Sequence, residues 1–102
     1  MEDIMKKAID TCCLVQLTIM SKGKGIIHRI CVPFDIGPSR RCNDEKIRYH
    51  FYDLDSPDGQ HNLSLLPKQI VNIQLSAEKF NPSDFVKWKH NWFYKRDWGS
   101  DS

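Results

Sequence analysis

The period of two in the apolar side chains constrains this chain more than any other feature. Val15, Leu17 and Ile19 fall on one side of an extended segment and Gln16 and Thr18 on the other, after which Ser21-Lys22-Gly23-Lys24-Gly25 supplies a turn. Residues 26–34, Ile-Ile-His-Arg-Ile-Cys-Val-Pro-Phe, read as the return strand, so a hairpin is predicted over about 13–34. Ile47 to Tyr52 forms a third strand. Pro57 fixes its own φ and Gly59 tolerates positive φ, which makes Asp55-Ser56-Pro57-Asp58-Gly59 a turn. Leu63 and Leu65 then alternate with Asn62 and Ser64 in a fourth strand. Pro67 removes a ladder donor and ends it, and Val71, Ile73 and Leu75 alternate with Asn72, Gln74 and Ser76 in a fifth.

Five short strands in about 65 residues favour a mainly β (α+β) fold: a small five-stranded SH3-like or Sm-like barrel, or a strongly bent antiparallel sheet. Ile4, Met5, Ala8 and Ile9 recur at one-turn spacing and predict a short helix in front of the first strand. Asn81-Pro82-Ser83-Asp84 offers an N-cap, a proline at the first helical position and an acid in the first turn, so a second short helix starts there. Asp35 to Lys46, with Gly37, Pro38, Asn43, Asp44 and the pair Arg40-Arg41, reads as an exposed loop. A chain of 102 residues holds one core, so residues 1–98 are expected to form a single domain, with 99–102 as a disordered tail.

An apolar share of 40% and a charged share of 27% belong to a globular chain rather than a disordered one. The formal charge is only +2, so cationic function has to come from local clustering. The opening Met1-Glu2-Asp3 carries acids where a signal peptide needs bases, and Cys12 to Met20 is interrupted by Gln16 and Thr18 and too short to span a bilayer. A cytoplasmic protein with no membrane partner is therefore expected, with Cys12, Cys13, Cys31 and Cys42 as free thiols.

Few chemistries fit the side chains. His28 and Cys31 are the only closely spaced His–Cys pair, which is poor zinc spacing. No nucleophile elbow or phosphate-binding glycine loop is present, and Asp53, Asp55 and Asp58 sit where turns favour Asp. The expectation is a chain that is not an enzyme and that carries no metal and no cofactor. An enzyme would come back into view if Arg29, His28 and Asp53 or Asp55 met in one deep polar pocket.

What stands out is basic and aromatic. Lys87, Trp88, Lys89, His90, Trp92, Phe93, Tyr94, Lys95, Arg96 and Trp98 interleave rings with cations, as single-stranded nucleic acid binders do. A second basic group, Lys22, Lys24, His28, Arg29, Arg40, Arg41 and Arg48, would extend an anion-binding rim if hairpin and loop share a face. The candidate ligand-binding or nucleic-acid-binding residues are Arg29, Arg40, Arg41, Arg48, Lys87, Trp88, Lys89, Trp92, Lys95 and Arg96. The partners they imply are single-stranded nucleic acid or an anionic small molecule. Two other readings stand beside this one. In one, the rings dock the C-terminal segment onto the fold while the cations reach water; in the other, Trp88, Trp92, Phe93 and Trp98 anchor a protein partner or a homodimer.

An opening amphipathic helix with Ala8-Ile9, a strand, a turn and then Arg29-x3-Pro33 precede a closing strand of the form Ile-x2-Ile, Ile70 and Ile73, with Phe80 soon after. That order resembles the WYL domain in its short stand-alone form, over about Ile4 to Phe85. The Trp-Tyr-Leu tripeptide is replaced by Arg48-Tyr49-His50-Phe51-Tyr52, and Gln69 stands where members often carry an arginine. The resemblance implies a small Sm-like or SH3-like barrel that senses a ligand or binds nucleic acid, with Arg29 as the family's arginine before the proline and Arg48 as part of a basic groove.

Overall fold

The computed structural model describes residues 1–42 and 44–102; Asn43, part of the predicted loop, lies outside the described residues. Helix α1 (Glu2–Thr11) leads into β1 (Cys13–Ser21), β2 (Gly25–Pro38), β3 (Ile47–Asp53), β4 (His61–Leu65) and β5 (Ile70–Lys79), followed by α2 (Pro82–Phe85). The strands make one antiparallel sheet in the order β4-β3-β2-β1-β5. The sheet is open: β4 and β5 are its two edges and do not pair, so the expected barrel does not close.

It is nevertheless curled. Leu66–Gln69 alone carry the chain from one edge to the other. Four flat inter-strand spacings would need about 19 Å, whereas the linker could reach about 17 Å only if fully extended. Pro67–Gln69 are wound into a 3-10 turn, closed by Gln69 N donating to Leu66 O and Leu66 N donating to Gln69 Oε1. The edges must therefore approach each other, and register shifts between Cys13 and Val15, Thr18 and Ile19, and Pro33 and Asp35 supply the bends.

Inside the curl lie Val15, Leu17, Ile19, Phe51, Leu65, Ile70 and Ile73, and α1 adds Met5, Ala8 and Ile9. The alternation predicted for β1 holds, with Gln16 exposed between Val15 and Leu17. The alternation predicted for β5 does not: Ile70 and Ile73 are buried while Val71 and Leu75 are exposed. Thr18 pairs with Asn72 and Ile19 with Ile70, so Val71 is the extra residue of a bulge and the inward phase slips there.

Residues predicted as the start of a loop continue β2 as far as Pro38, and Cys31 to Gly37 are all buried. A strand is buried at consecutive positions only when both faces are covered. The core covers one face; residues 87–98, which run without regular structure after α2, form a strap over the other. Gly99–Asp101 then form a 3-10 turn whose Asp101 carbonyl accepts the Trp92 indole N–H at 2.8 Å, where a loose tail is predicted.

Asp35 holds the strap. Its carboxylate accepts Ile36 N, Phe93 N and Tyr94 N at 2.8–2.9 Å and Arg96 Nη2 at 3.1 Å. The Arg96 side chain is 0% exposed, with its guanidinium 4.1 Å from the Trp92 ring centroid and 4.4 Å from that of Trp98, and it also donates to the Phe34 and Tyr94 carbonyls. Burial pulls the Arg96 guanidinium down to about 10, and the Asp35 charge opposes that shift. The far end of the strap is tied to α1, where Trp98 Nε1 donates to Ile9 O and the Tyr94 hydroxyl donates to Asp10. No helix among the described residues is long and apolar enough to cross a membrane.

Candidate functional site

The inner face of β3 buries Tyr49, Phe51 and Asp53, so Arg48, His50 and Tyr52 point outward. On β4, Ser64 stands opposite His50 and Asn62 opposite Tyr52. Arg48, His50, Asn62 and Ser64 floor a groove of about 560 Å³. The strap builds one wall with Trp88, Lys89, Asn91 and Phe93, and the segment after β2 builds the end with Arg40, Arg41 and Cys42. Gly37 lets the strap lie flat: a Cβ there would stand 2.6 Å from the Phe93 ring.

Six of the ten residues predicted from sequence line this groove: Arg40, Arg41, Arg48, Trp88, Lys89 and Trp92. Trp88 is 46% exposed and stands edge-on to the buried Phe34, at 5.4 Å and 84°. Arg40 lies 4.3 Å over the Phe93 ring and donates to Asn91 O, so its guanidinium is fixed against the strap. Arg48 is held by Asp44 through two bonds of 2.9 Å, and that fork keeps the Asp44 carboxyl well below the usual range while raising Arg48. Arg41 and Lys89 are exposed and form no ion pair among the described residues.

The other four predicted residues, Arg29, Lys87, Lys95 and Arg96, lie elsewhere. Arg96 is sealed under the strap, which closes it to any ligand, because a guanidinium between two indoles and a carboxylate has its faces and its donors occupied. Trp92 touches the groove, but its ring is buried among Phe34, Trp88 and Trp98. Lys87 donates to Ser83 O beside α2, and Lys95 lies outside the groove. Trp92 and Trp98 are buried within this chain, so of the four aromatic anchors considered for a partner only Trp88 and Phe93 remain exposed.

Arg29 belongs to a second, smaller hollow of about 230 Å³ at the mouth of the curled sheet, with Lys22, Lys24, Asp58, His61 and Leu63. Its Nε lies 3.3 Å from Asp53 Oδ2, and Asp53, 3% exposed, also accepts Asp55 N. Arg29 and Asp53 do meet, but His28 faces the outer surface, bonded to Thr18. The basic groups of the first hairpin and of the segment after β2 thus line different cavities, and the two do not form one continuous rim.

Sequence reasoning missed three residues of the floor, His50, Asn62 and Ser64. His50 Nε2 lies 2.8 Å from Gly37 O and its Nδ1 2.8 Å from Ser64 Oγ. The sequence alternation sets Ser64 apart from Leu63 and Leu65, but only the β3–β4 register sets it opposite His50. All four cysteines are free; burial, reinforced by Asp53, pushes the Cys31 thiol far up, and Cys42 is exposed at the rim of the groove. No family model, curated protein or solved structure matches this chain.

Proposed function

We propose that this chain is a small binding module whose groove takes single-stranded nucleic acid, with bases stacking on Trp88 and phosphates meeting Arg41 and Lys89. The observation that carries the reading is the pairing of an exposed indole with two cations that form no ion pair among the described residues, over a floor where the Asn62 amide can donate to bases or sugar oxygens. Exposed aromatic rings beside a basic track are the chemistry that binds single strands without sequence preference. The resemblance to WYL domains points the same way, toward a regulatory module, although its arginine, Arg29, lies in the other hollow.

A fluorescein-labelled single-stranded oligonucleotide titrated at low and at physiological salt tests the proposal. Binding is expected at low salt and should weaken steeply as salt rises, because each phosphate contact releases counterions. Arg41→Glu with Lys89→Glu should weaken binding at least tenfold and flatten the salt slope, and Trp88→Ala should weaken it without changing the slope. No binding at low salt overturns the reading. If binding is undiminished in the double charge reversal, the ligand does not lie in this groove.

A further inference from the structure

The groove floor holds a pair of groups that nucleic-acid binding does not require. His50 and Ser64 stand directly opposite each other on β3 and β4. The Gly37 carbonyl can only accept, so His50 Nε2 carries the ring proton and donates across 2.8 Å. Nδ1 is therefore left as an acceptor, and the Ser64 hydroxyl donates to it at 2.8 Å. Serine, imidazole and a third group that fixes the tautomer form the arrangement that activates a nucleophile.

The molecule contains its own control. Thr18 and His28 are also a cross-strand hydroxyl–imidazole pair, on β1 and β2, at 3.1 Å. The His28 ring has no second bond among the described residues, so nothing fixes which nitrogen accepts. That pair also lines neither cavity. Of the two pairs, only at His50 does the hydroxyl bond coincide with a fixed tautomer, and only that pair shares a groove with cations, Arg40, Arg41, Arg48 and Lys89.

We infer that Ser64 is an acyl-accepting nucleophile with His50 as its general base, and that the groove takes esters carrying an anionic group. The Ser64 oxygen adds to the ester carbonyl carbon as its proton passes to His50 Nδ1. The tetrahedral adduct collapses with loss of the alcohol, which leaves with that proton, and the acyl group stays on Ser64. Water repeats the sequence, releases the acid and restores the hydroxyl. The groove's cations oppose the negative charge that develops on the carbonyl oxygen. Selection of anionic esters rests on the anion-binding reading above; activation of Ser64 does not.

The test separates the two. Neutral p-nitrophenyl acetate needs no anion site; the wild-type chain should release nitrophenol and carry one acetyl group on Ser64 in peptide mapping. His50→Gln should slow that acetylation about a hundredfold, Ser64→Ala should remove it, and Thr18→Ala should leave it unchanged. The absence of acetyl-Ser64, or the same rate in His50→Gln as in wild type, overturns the activation. Anionic p-nitrophenyl hemisuccinate should react faster than the acetate and lose that advantage in Arg41→Glu. If the two esters react equally in wild type, the anionic substrate class is overturned while the nucleophile stands. Circular dichroism of each variant confirms that the sheet is intact.

Discussion

Two basic and aromatic clusters lie on the two faces of the same strap, built from the same kinds of residue and put to opposite use. Beneath it, Arg96 lies between Trp92 and Trp98 and is neutralised by Asp35. On its open side, Trp88 and Lys89 meet Arg41 across a groove, and neither cation forms an ion pair among the described residues. The difference is one buried carboxylate. Where the fold supplies an acid at the right depth, an arginine and its rings become part of the core; where it supplies none, they stay available to a ligand.

Removing that acid gives the largest expected effect. Asp35→Ala leaves Arg96 charged, buried and unpaired and strips the acceptor from Phe93 N and Tyr94 N. Breaking a buried pair from one side costs about 3–5 kcal/mol. Urea unfolding should show this loss, together with an early tryptophan fluorescence change as the strap comes away. Because the strap is also the wall of the groove, oligonucleotide binding should fall with it. A variant as stable as wild type would mean that the two faces of the strap do not depend on Asp35.

Gly37→Ala attacks the same contact more gently. The added methyl would stand 2.6 Å from the Phe93 ring and 2.7 Å from its Cβ, so the strap must shift rather than one side chain turn. Overpacking of this kind costs about 1–3 kcal/mol. Chemical unfolding should show a loss smaller than that of Asp35→Ala, with the deeper Trp92–Arg96–Trp98 stack preserved in near-ultraviolet circular dichroism. If that stack is lost as well, the open and sealed faces are one cooperative unit.

The split between the faces was not legible in the sequence, whereas most of the sheet was. Strand periodicity found β1, β3 and β4, Asn81 does accept Ser83 N at the start of α2, and the glycines of the first turn adopt positive φ. The sequence Val-Pro-Phe-Asp-Ile-Gly-Pro, in contrast, reads as the end of a strand, because Asp, Gly and Pro are turn formers. What converts Asp35 from a loop residue into a buried hub is a backbone 58 residues away, and no local pattern encodes that pairing. The same holds for the tryptophans. Trp88, Trp92 and Trp98 all stand in basic, aromatic stretches, and their different burial follows from where the strap crosses β2 and α1. From sequence alone, His50 reads only as part of a strand and Ser64 as a polar position alternating with Leu63 and Leu65; only the β3–β4 register makes them a pair.

The smallest expected effect concerns an arginine that is already half withdrawn from the open face. Arg48 lines the groove, but Asp44 holds both of its terminal nitrogens. Asp44→Asn keeps the shape of that side chain while removing the charge, so the guanidinium becomes available to a phosphate. Affinity for a single-stranded oligonucleotide should then rise several-fold at low salt, and the salt slope should steepen by about 0.7, the increment for one further contact on a single strand. The wild-type pair should resist acid: the Asp44 carboxyl is held below its ordinary 3.8, so its contribution to stability is present above that value and disappears only as the pH falls through the lower, folded-state value. The variant should therefore match at neutral pH what wild type reaches only in strong acid. A salt slope unchanged by Asp44→Asn would show that Arg48 belongs with Arg96, as a cation the fold keeps for itself, and would confine the open face to Arg40, Arg41 and Lys89.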